Sequence, residues 1–326
     1  MTMTHAIRIH EHGGPEVLRW EKIGLPRPGP GQAVVRHAAI GLNFIDTYHR
    51  SGLYPLPLPT VLGCEAAGVV AEVGEGVTVV RAGDRVAYAG GVPGSYAEAR
   101  LVDATRLVPV PADIEDRLAA AALLKGMTAQ YLLRRTFAVG AADTILIHAA
   151  AGGVGEILCQ WAHHLGARVI GTVSSDAKAI LARSHGCDEV LVTGRDDIVA
   201  RVREFTGGNG VPVVYDSVGG ATWETSLDCL RPLGLMVSFG NASGPVPPVS
   251  LGILATKGSL FVTRPTLGTY VATRWDLLDT AAEVWDVIRS GAVRVEVRQS
   301  WPLAEAEAAH RALEARQTTG SSLLLP

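Results

Sequence analysis

The 326-residue sequence predicts an α/β fold in which a β-rich domain is joined to a doubly wound parallel sheet. One observation is that residues 1–110 are short β-rich runs, such as AIRIHEHGG and QAVVRHAAIG, separated by Gly/Pro turns. Another is that continuous apolar strands alternate with helices from Asp143 onward, which is typical of a parallel sheet covered on both faces. The length also suits two domains.

The elements follow from these patterns in chain order. Glu115 to Arg134 is rich in alanine and leucine and predicts a helix. The strands TILIHAA, ARVIGTV, EVLVT, VPVVYDSVG and GLMVSFGN follow, with helices VGEILCQWAHHLG and DAKAILARSHG between the first of them. A further strand, SLFVTRP, is predicted at 259–265, and helices at 275–290 and 303–316 bracket VRVEVRQSWPL. The closing SSLLLP predicts a strand that returns to the first domain.

Composition excludes several classes of protein. The net charge of −3 and the lack of a Lys/Arg block give no reason to expect nucleic-acid binding. No apolar stretch reaches the length of a membrane span, and the N-terminus lacks a secretory signal. The four cysteines lie far apart, which predicts reduced thiols in a cytoplasmic protein.

A glycine loop, HAAAGGVG, spans residues 148–155. Ala150, Gly152 and Gly155 fill the three glycine places of G-x-G-x-x-G, between a predicted strand and a predicted helix. Gly152 lets the backbone approach a pyrophosphate, Gly155 lets the helix pack near the strand, and the free N–H groups at the helix start face the phosphates. The loop predicts a dinucleotide site.

The next strand indicates which dinucleotide is bound. Val173 stands where an NAD-binding protein usually carries an acid for the ribose hydroxyl. Ser174 and Ser175 offer hydroxyl groups and Lys178 offers a positive charge, which together suit the 2′-phosphate of NADPH. Asp176 opposes this prediction unless it is the N-cap of the following helix, the role we favour for it.

At this point the sequence resembles the zeta-crystallin-like quinone oxidoreductases of the medium-chain dehydrogenase/reductase superfamily. The resemblance runs nearly end to end. It implies a GroES-like catalytic domain at residues 1–125 and 267–326, and an NADP-binding Rossmann domain at residues 126–266. It is carried by HGGPEVL, GLNFIDTYHRSGLYP, LGCEAAGVV, HAAAGGVG, VVYDSVGG, LMVSFGNASG, FVTRPTLG and TGSSLLLP.

Related medium-chain alcohol dehydrogenases hold a catalytic zinc on a Cys, a His and a second Cys or Asp. These places fall on Asn43, Cys64 and Lys125. An amide is a poor ligand and an ammonium group has no lone pair, so no metal is predicted. Residues 85–115 also lack the cysteines of the structural zinc lobe. Cys64, where the family usually has Thr, is predicted to be a small buried residue beside Glu65, which borders the cofactor.

The loss of zinc predicts an electron-poor acceptor rather than an alcohol. A quinone accepts hydride directly, so the cofactor supplies the chemistry and the protein supplies orientation. The resemblance implies NADPH-dependent reduction of quinones, by hydride or electron transfer without a metal. It places four residues at the nicotinamide end, with Tyr48 as hydrogen-bond or proton donor and Tyr54 stacked on a flat ring: Asn43, Asp46, Tyr48 and Tyr54.

The same resemblance predicts which residues contact the cofactor. For Ser217 and Phe239–Asn241 the prediction also rests on their position at strand ends, where parallel sheets bind ligands. The Tyr that the family usually carries after the third strand is replaced by Thr193, so Arg195 is expected to pair with the phosphate instead. Arg264 and Arg316 are expected to reach the phosphates or the carboxamide side. The full predicted set is Asn43, Lys125, Thr128, Gly152, Gly153, Val154, Ser174, Ser175, Lys178, Thr193, Ser217, Phe239, Gly240, Asn241, Arg264, Pro265, Thr266 and Arg316.

Two other functions stay open at this stage. A metal-free relative also delivers hydride to the double bond of an enone or alkenal, and the glycine loop does not separate these substrates from quinones. Crystallin-like members act without catalysis, binding NADPH or RNA, although the acidic balance disfavours RNA here. The apolar strand SLFVTRP pairs across a two-fold axis in related proteins, which predicts a homodimer.

Overall fold

The computed structural model describes residues 2–326, and these divide into two units. The first unit comprises the described residues up to Met127, with Val271–Trp285 and Val295–Pro326. The second unit comprises Thr128–Tyr270 and Asp286–Arg294. The assignment of catalysis to one domain and NADP binding to the other stays a prediction.

Sixteen strands are formed by the described residues. They are β1 (Thr2–Ile9), β2 (Arg19–Leu25), β3 (Gln32–Leu42), β4 (Thr60–Val61), β5 (Glu65–Val73), β6 (Arg85–Ala89), β7 (Ala99–Asp103), β8 (Val108–Pro109), β9 (Thr144–Ile147), β10 (Arg168–Val173), β11 (Glu189–Val192), β12 (Val211–Asp216), β13 (Leu230–Ser238), β14 (Phe261–Thr263), β15 (Val297–Pro302) and β16 (Ser321–Leu325).

The same part of the chain forms ten α-helices. None of these is long and apolar enough to cross a membrane. They are α1 (Phe44–Ser51), α2 (Asp116–Tyr131), α3 (Gly153–His164), α4 (Asp176–Ser184), α5 (Ile198–Phe205), α6 (Trp223–Cys229), α7 (Gly252–Thr256), α8 (Leu267–Tyr270), α9 (Arg274–Arg289) and α10 (Ala306–Glu314).

The first unit is built on two sheets. The larger runs in the order β15-β16-β3-β5-β6-β8, with β7 also paired to β3, and the smaller in the order β2-β1-β4. The predicted return of the C-terminal strand is confirmed, because β16 pairs antiparallel with β3. Apolar side chains on the inner faces, among them Ile7, Ile40 and Leu324, are fully buried in one core, which burial from water stabilises.

The second unit is a parallel six-stranded sheet in the order β11-β10-β9-β12-β13-β14. The chain leaves β9 towards β10 and β11, and then turns to β12, β13 and β14 on the other side. All six strands therefore end at the same edge, and the direction of winding reverses between β9 and β12, where such sheets bind ligands. The predicted fold class is confirmed.

Several element boundaries differ from the predictions. The helix predicted at Glu115–Arg134 ends at Tyr131 and continues as a π-helical turn over Leu132–Thr136. The strand predicted at 259–265 is three residues long, Phe261–Thr263. The N-cap prediction for Asp176 is wrong: Ser175 is the extended residue before α4, and its hydroxyl accepts the N–H of Lys178 at 3.4 Å.

Candidate active site

Glu65 lies at the centre of a buried charge cluster in the first unit. It opens β5 and is fully buried. Its Oε1 accepts the backbone N–H of Leu124 at 2.6 Å, and its Oε2 accepts from Asn43 Nδ2 at 2.9 Å and from Lys125 Nζ at 3.2 Å. A Cβ at Gly41 would lie 2.1 Å from that Oε2, so the carboxylate requires a glycine beside it.

This cluster uses two of the three places where alcohol dehydrogenases hold zinc. Asn43 Nδ2 and Lys125 Nζ both donate to the Glu65 carboxylate. The ammonium group of Lys125 has no lone pair for a cation, and the amide of Asn43 is a poor zinc ligand. Cys64, at the third place, is buried as predicted, and its Sγ lies 3.8 Å from Nδ1 of His49. The donor set at these places does not fit the family's catalytic zinc.

Asp46, on helix α1, is a fully buried carboxyl group beside the Glu65 cluster. Its Oδ2 accepts the N–H of Asn43 and the hydroxyl of Tyr96, each at 3.0 Å. Burial raises the pKa of Asp46 to about 7, against the opposing effect of these hydrogen bonds. A group that titrates near neutrality thus stands beside the predicted catalytic residues.

A line of buried groups leads away from Asp46. Arg50 has only donors, so its Nη1, 2.9 Å from Nδ1 of His310, donates to that nitrogen. Nε2 of His310 then carries the ring proton and donates to the Tyr96 hydroxyl at 3.0 Å. Burial lowers the pKa of His310 to about 3, and the Arg50 charge acts in the same direction. The guanidinium of Arg50 is held in turn by Glu314 at 2.7 Å.

Sequence reasoning missed this line, whose members lie far apart in the chain. The only signal was the run DTYHR, in which polar residues recur on a short helix that carries predicted site residues.

Two predicted tyrosines come together, Tyr48 in the second half of α1 and Tyr54 in the loop that follows this helix. The rings of Tyr48 and Tyr54 meet edge to face with centroids 5.3 Å apart, and the ring of Phe44 lies 5.8 Å from that of Tyr48. The N–H of Tyr54 also donates to the carbonyl of Tyr48 at 3.1 Å. The three rings form an aromatic wall held together by tilted and edge-to-face contacts, which are favourable ring geometries.

In the second unit, the glycine loop has the shape that phosphate binding requires. Helix α3 begins at Gly153 after an extended Gly152, and no described side chain caps its first turn. The initial N–H groups therefore remain available to an anion. A Cβ at Gly155 would lie 2.3 Å from the carbonyl oxygen of Ala149, and Ala149 itself takes a left-handed backbone with φ of 55°.

The ends of β12, β13 and β14 bring together another group of predicted residues. Gly240 packs on Ser217 so closely that a Cβ would lie 2.3 Å from the Ser217 carbonyl oxygen. Arg264 donates through Nη1 to the Gly240 carbonyl at 2.9 Å and to the Ser238 hydroxyl at 3.1 Å. Phe239 and Asn241 flank Gly240 and are half-buried. Ser217, the segment 239–241 and Arg264 are thus adjacent.

The ends of β10 and β11 carry the residues predicted to select the cofactor. The N–H of Thr193 donates to the carbonyl of Val173 at 2.8 Å, which sets the two strand ends side by side. Ser174 and Thr193 are exposed, whereas Ser175 and Lys178 are half-buried. These groups lie on one edge of the sheet.

Arg195 does not stand apart for an incoming phosphate. It pairs with Asp176 at 2.6 Å and with Asp196 at 3.0 Å. The negative charge of Asp176, which opposed the NADPH prediction, is therefore matched by a neighbouring cation.

The remaining predicted residues lie at separate places. Thr128 is buried on α2, and Val154 is in the first turn of α3. Pro265 and Thr266 follow Arg264, and the hydroxyl of Thr266 lies 3.0 Å from that of Thr269. Arg316, in the first unit, is exposed just after α10, with a left-handed φ of 59°.

A second buried network, also missed from the sequence, supports the glycine loop. His148, which precedes the loop, bonds through Nδ1 to the Thr172 hydroxyl at 2.9 Å and through Nε2 to the Ser226 hydroxyl at 3.0 Å. Ser226 and Thr222 donate to Oδ2 of Asp216 at 2.8 and 2.7 Å. Strands β9, β10 and β12 are therefore fixed to one another at the ends that carry the site.

Comparison with known proteins places both units. Residues 29–112 match the alcohol dehydrogenase GroES-like domain, and residues 153–282 match the zinc-binding dehydrogenase description. A quinone oxidoreductase of Pseudomonas aeruginosa is 54% identical over 99% of this chain and 100% of its own length. The chain belongs to the quinone oxidoreductase family.

Other members of the quinone oxidoreductase family include one solved with a cofactor. The crystal structure of Escherichia coli quinone oxidoreductase complexed with NADPH matches with a TM-score of 0.97 and 51% identity, over 99% of this chain and 100% of that one. A 2-haloacrylate reductase of Burkholderia is 47% identical over 99% of each chain. One of the two matching families is described as zinc-binding dehydrogenases. Asn43 and Lys125 occupy two of the zinc-ligand places of such enzymes and are unsuited to bind zinc.

Proposed function

We propose that this protein reduces quinones with NADPH and needs no metal ion for the reaction. The observation that carries the proposal is the Asn43–Glu65–Lys125 cluster, because it fills two zinc-ligand places with donors already committed to a carboxylate. Without a Lewis acid there is no stabilisation of an alkoxide, so an alcohol is a poor substrate. Relatives that are 54% and 51% identical are quinone oxidoreductases, which supports the same choice of substrate.

The second unit offers the groups that NADPH requires. The uncapped first turn of α3, with Gly152, Gly153 and Val154, would bind the pyrophosphate through backbone N–H groups. Ser174, Ser175 and Lys178 would bind the 2′-phosphate, and Thr193 lies beside them. Ser217, Phe239–Asn241 and Arg264 stand at the adjacent strand ends, on the side of the carboxamide. Bound NADPH supplies a hydride to the acceptor.

The first unit would orient the quinone and complete the reaction. Tyr54 offers a ring against which a flat quinone stacks. A quinone that has gained a hydride needs one proton on oxygen to become a hydroquinone, and we assign that proton to the Tyr48 hydroxyl. Asn43 and Asp46 would border the reacting ring. Glu65 holds Asn43 and Lys125 in place and so acts as a positioning residue.

The test is anaerobic NADPH oxidation against a panel of quinones, enones and simple alcohols, with and without a chelator. We expect turnover of quinones, no useful rate with alcohols, and no effect of the chelator. Alcohol oxidation that the chelator abolishes would falsify the metal-free reaction. A panel in which quinones are not reduced would equally remove the proposed substrate class.

The same panel decides a second candidate, reduction of an activated carbon–carbon double bond. The 47% identity to a 2-haloacrylate reductase favours this alternative specifically. An activated alkene also accepts hydride without a Lewis acid, after which the adjacent carbon takes a proton. Faster turnover of enones or haloacrylates than of quinones would establish it.

Assembly and location belong to the same proposal. Strand β14 is the last strand of the parallel sheet, and its Phe261 and Val262 side chains are 60% and 40% exposed. Pairing with a second copy would cover this edge, so we propose a homodimer. Light scattering should give twice the chain mass, and Val262→Asp should give a monomer. All four cysteines are free thiols, which fits a cytoplasmic protein.

A further inference from the structure

Three buried side chains of the first unit, of which only Asp46 borders the proposed reaction, bring potential metal ligands together. Asp46 and His49 are three residues apart on α1 and so project from one face of the helix. Cys64, immediately before β5, meets that face. One ligand atom from each side chain lies within 4.8 Å of the other two, and all three residues are buried.

The spacing is close to that of a metal centre. In a tetrahedral zinc site, bonds of about 2.3 Å to sulfur and about 2.0–2.1 Å to nitrogen set those ligand atoms about 3.6 Å apart. Here Cys64 Sγ and His49 Nδ1 are 3.8 Å apart. Little movement of these two side chains would be needed to bind a cation between them.

An unsatisfied oxygen points to the same ligand. Asp46 is fully buried, and its Oδ2 accepts both of the hydrogen bonds described above. Its Oδ1 is buried and lacks a hydrogen bond of adequate geometry among the described residues, although the thiol of Cys64, a weak donor, interacts with the same carboxyl group. Buried polar atoms are rarely left unpaired, because the lost hydration is not replaced. A cation at the Asp46–His49–Cys64 cluster would satisfy this oxygen.

We propose that Asp46, His49 and Cys64 form a binding site for a zinc-like divalent cation. A thiolate and an imidazole select borderline or soft metals over Mg²⁺ or Ca²⁺, and three protein ligands leave a fourth position open. The thiol proton of Cys64 would pass to solvent on binding. One thiolate and one carboxylate then neutralise the two charges of the cation, so the filled site adds no net charge to the buried region.

The charges nearby do not prevent this binding. Lys125 is paired with Glu65 at 3.2 Å, and the Arg100 guanidinium lies over the ring of Tyr88, 5.4 Å from its centroid. His49 keeps 8% of its surface exposed, so the cluster is not wholly closed off from solvent. The site differs from the alcohol dehydrogenase centre, since Asn43 and Lys125 take no part. Asp46 also borders the proposed reaction, but that reaction needs no metal, so metal binding and quinone reduction are tested separately.

In the first experiment, the metal-free, untagged protein is titrated with Zn²⁺, and calorimetry measures the binding. We expect one equivalent to bind. Cys64→Thr and His49→Gln should each weaken binding by at least about a hundredfold, because even outer-shell partners of a metal are worth 10–100-fold. Cys187→Ser is the matched control, since that thiol is also buried and lies 3.3 Å from a second thiol, Cys159. It should leave the affinity unchanged.

The second measurement needs no variant. Co²⁺ bound to the natural chain should give the intense visible bands of tetrahedral cobalt and a thiolate charge-transfer band, and Mg²⁺ in excess should not displace it. No stoichiometric binding would overturn the proposal, and so would cobalt bands without thiolate character. Zinc affinity that is lost in Cys187→Ser but kept in Cys64→Thr would place the site elsewhere.

Discussion

Around Glu65 in the first unit the buried groups are charged, whereas around Asp216 in the second unit the carboxylate is held mainly by hydroxyl and backbone donors. Glu65 accepts from the Lys125 ammonium group at 3.2 Å. Asp216 accepts from the hydroxyl groups of Thr222 and Ser226, and from two backbone N–H groups that follow its own strand. The first arrangement depends on an ion pair and the second on local hydrogen bonds.

This difference in bonding determines how strongly a substitution destabilises each cluster. Removing one partner of a buried ion pair leaves the other charge without compensation, which costs more than the loss of one of several hydrogen bonds to a carboxylate. The Glu65 cluster also gathers residues from distant parts of the chain, whereas the Asp216 cluster forms where neighbouring strands end. We therefore expect substitutions in the first unit to have the larger effects.

The largest effect is expected for Glu65→Ala. The substitution would leave the buried Lys125 ammonium unpaired, so the free energy of unfolding should fall by about 3–5 kcal/mol. Urea denaturation would measure it. Ser226→Ala, which removes a hydroxyl donor to the Asp216 carboxylate, should cost about 1.5–3 kcal/mol. Glu72→Ala, at an exposed position on the same strand as Glu65, should cost no more than about 0.5 kcal/mol. If Glu65→Ala and Ser226→Ala lowered the free energy of unfolding equally, the Glu65 cluster would not be the more sensitive of the two.

The two clusters also differ in how far the sequence predicts them. In the second unit, the rule that ligands gather at the carboxyl ends of parallel strands predicted Ser217 and Phe239–Asn241, and the structure sets these next to each other. The short-range signal for an N-cap failed, because Ser175 and Asp176 are both good caps and only the backbone decides between them.

In the first unit, no local pattern joins Asn43, Glu65 and Lys125. They meet because antiparallel strands and a helix bring residues 22 and 60 positions apart into hydrogen-bond contact. The family resemblance identified Asn43 and Lys125 as site residues. It did not predict the contacts of His310, which lies 214 residues beyond its partner Tyr96. Periodicity predicts which face of an element is buried, whereas the partner across the core depends on the tertiary fold.

A second prediction uses the pH dependence of stability. The pKa of His310 is about 3 in the fold, against 6.5 for the free side chain, so the unfolded chain binds more protons between these values. His310 therefore makes stability fall as the pH drops through that window, by up to about 1.4 kcal/mol per pH unit.

The test compares the natural chain with His310→Gln, in which the amide still accepts from Arg50. Unfolding free energies at a series of pH values between 3 and 6.5 should show a smaller loss in acid for the variant. Asp46 has the opposite effect, because its raised pKa of about 7 favours the fold in acid, but it is present in both proteins. Parallel pH profiles would show that His310 is not held neutral.

The third prediction concerns the aromatic wall. Tyr48→Phe should lower kcat for quinone reduction by about 10²-fold, since it removes the proposed proton donor while keeping the ring. Steady-state kinetics with a saturating quinone would measure it. Tyr88→Phe is the control, because it also removes a buried tyrosine hydroxyl, one that lies 2.8 Å from His37 in the same unit. If Tyr48→Phe changed only KM, Tyr48 would contribute to quinone binding and would not be the proton donor.

The smallest effect is expected in the second unit, at the edge of the sheet. Lys178→Ala should weaken NADPH binding by about tenfold or more, because a hydrogen bond to a charged group is worth about 1.5–3 kcal/mol. NADH, which lacks the 2′-phosphate, should bind equally well to both proteins. Fluorescence titration of each cofactor gives the dissociation constants. Arg183→Ala is the control, since this exposed cation lies on the same helix α4 but in its last turn. If Lys178→Ala left NADPH affinity unchanged, recognition of the phosphate would rest on the serine hydroxyls.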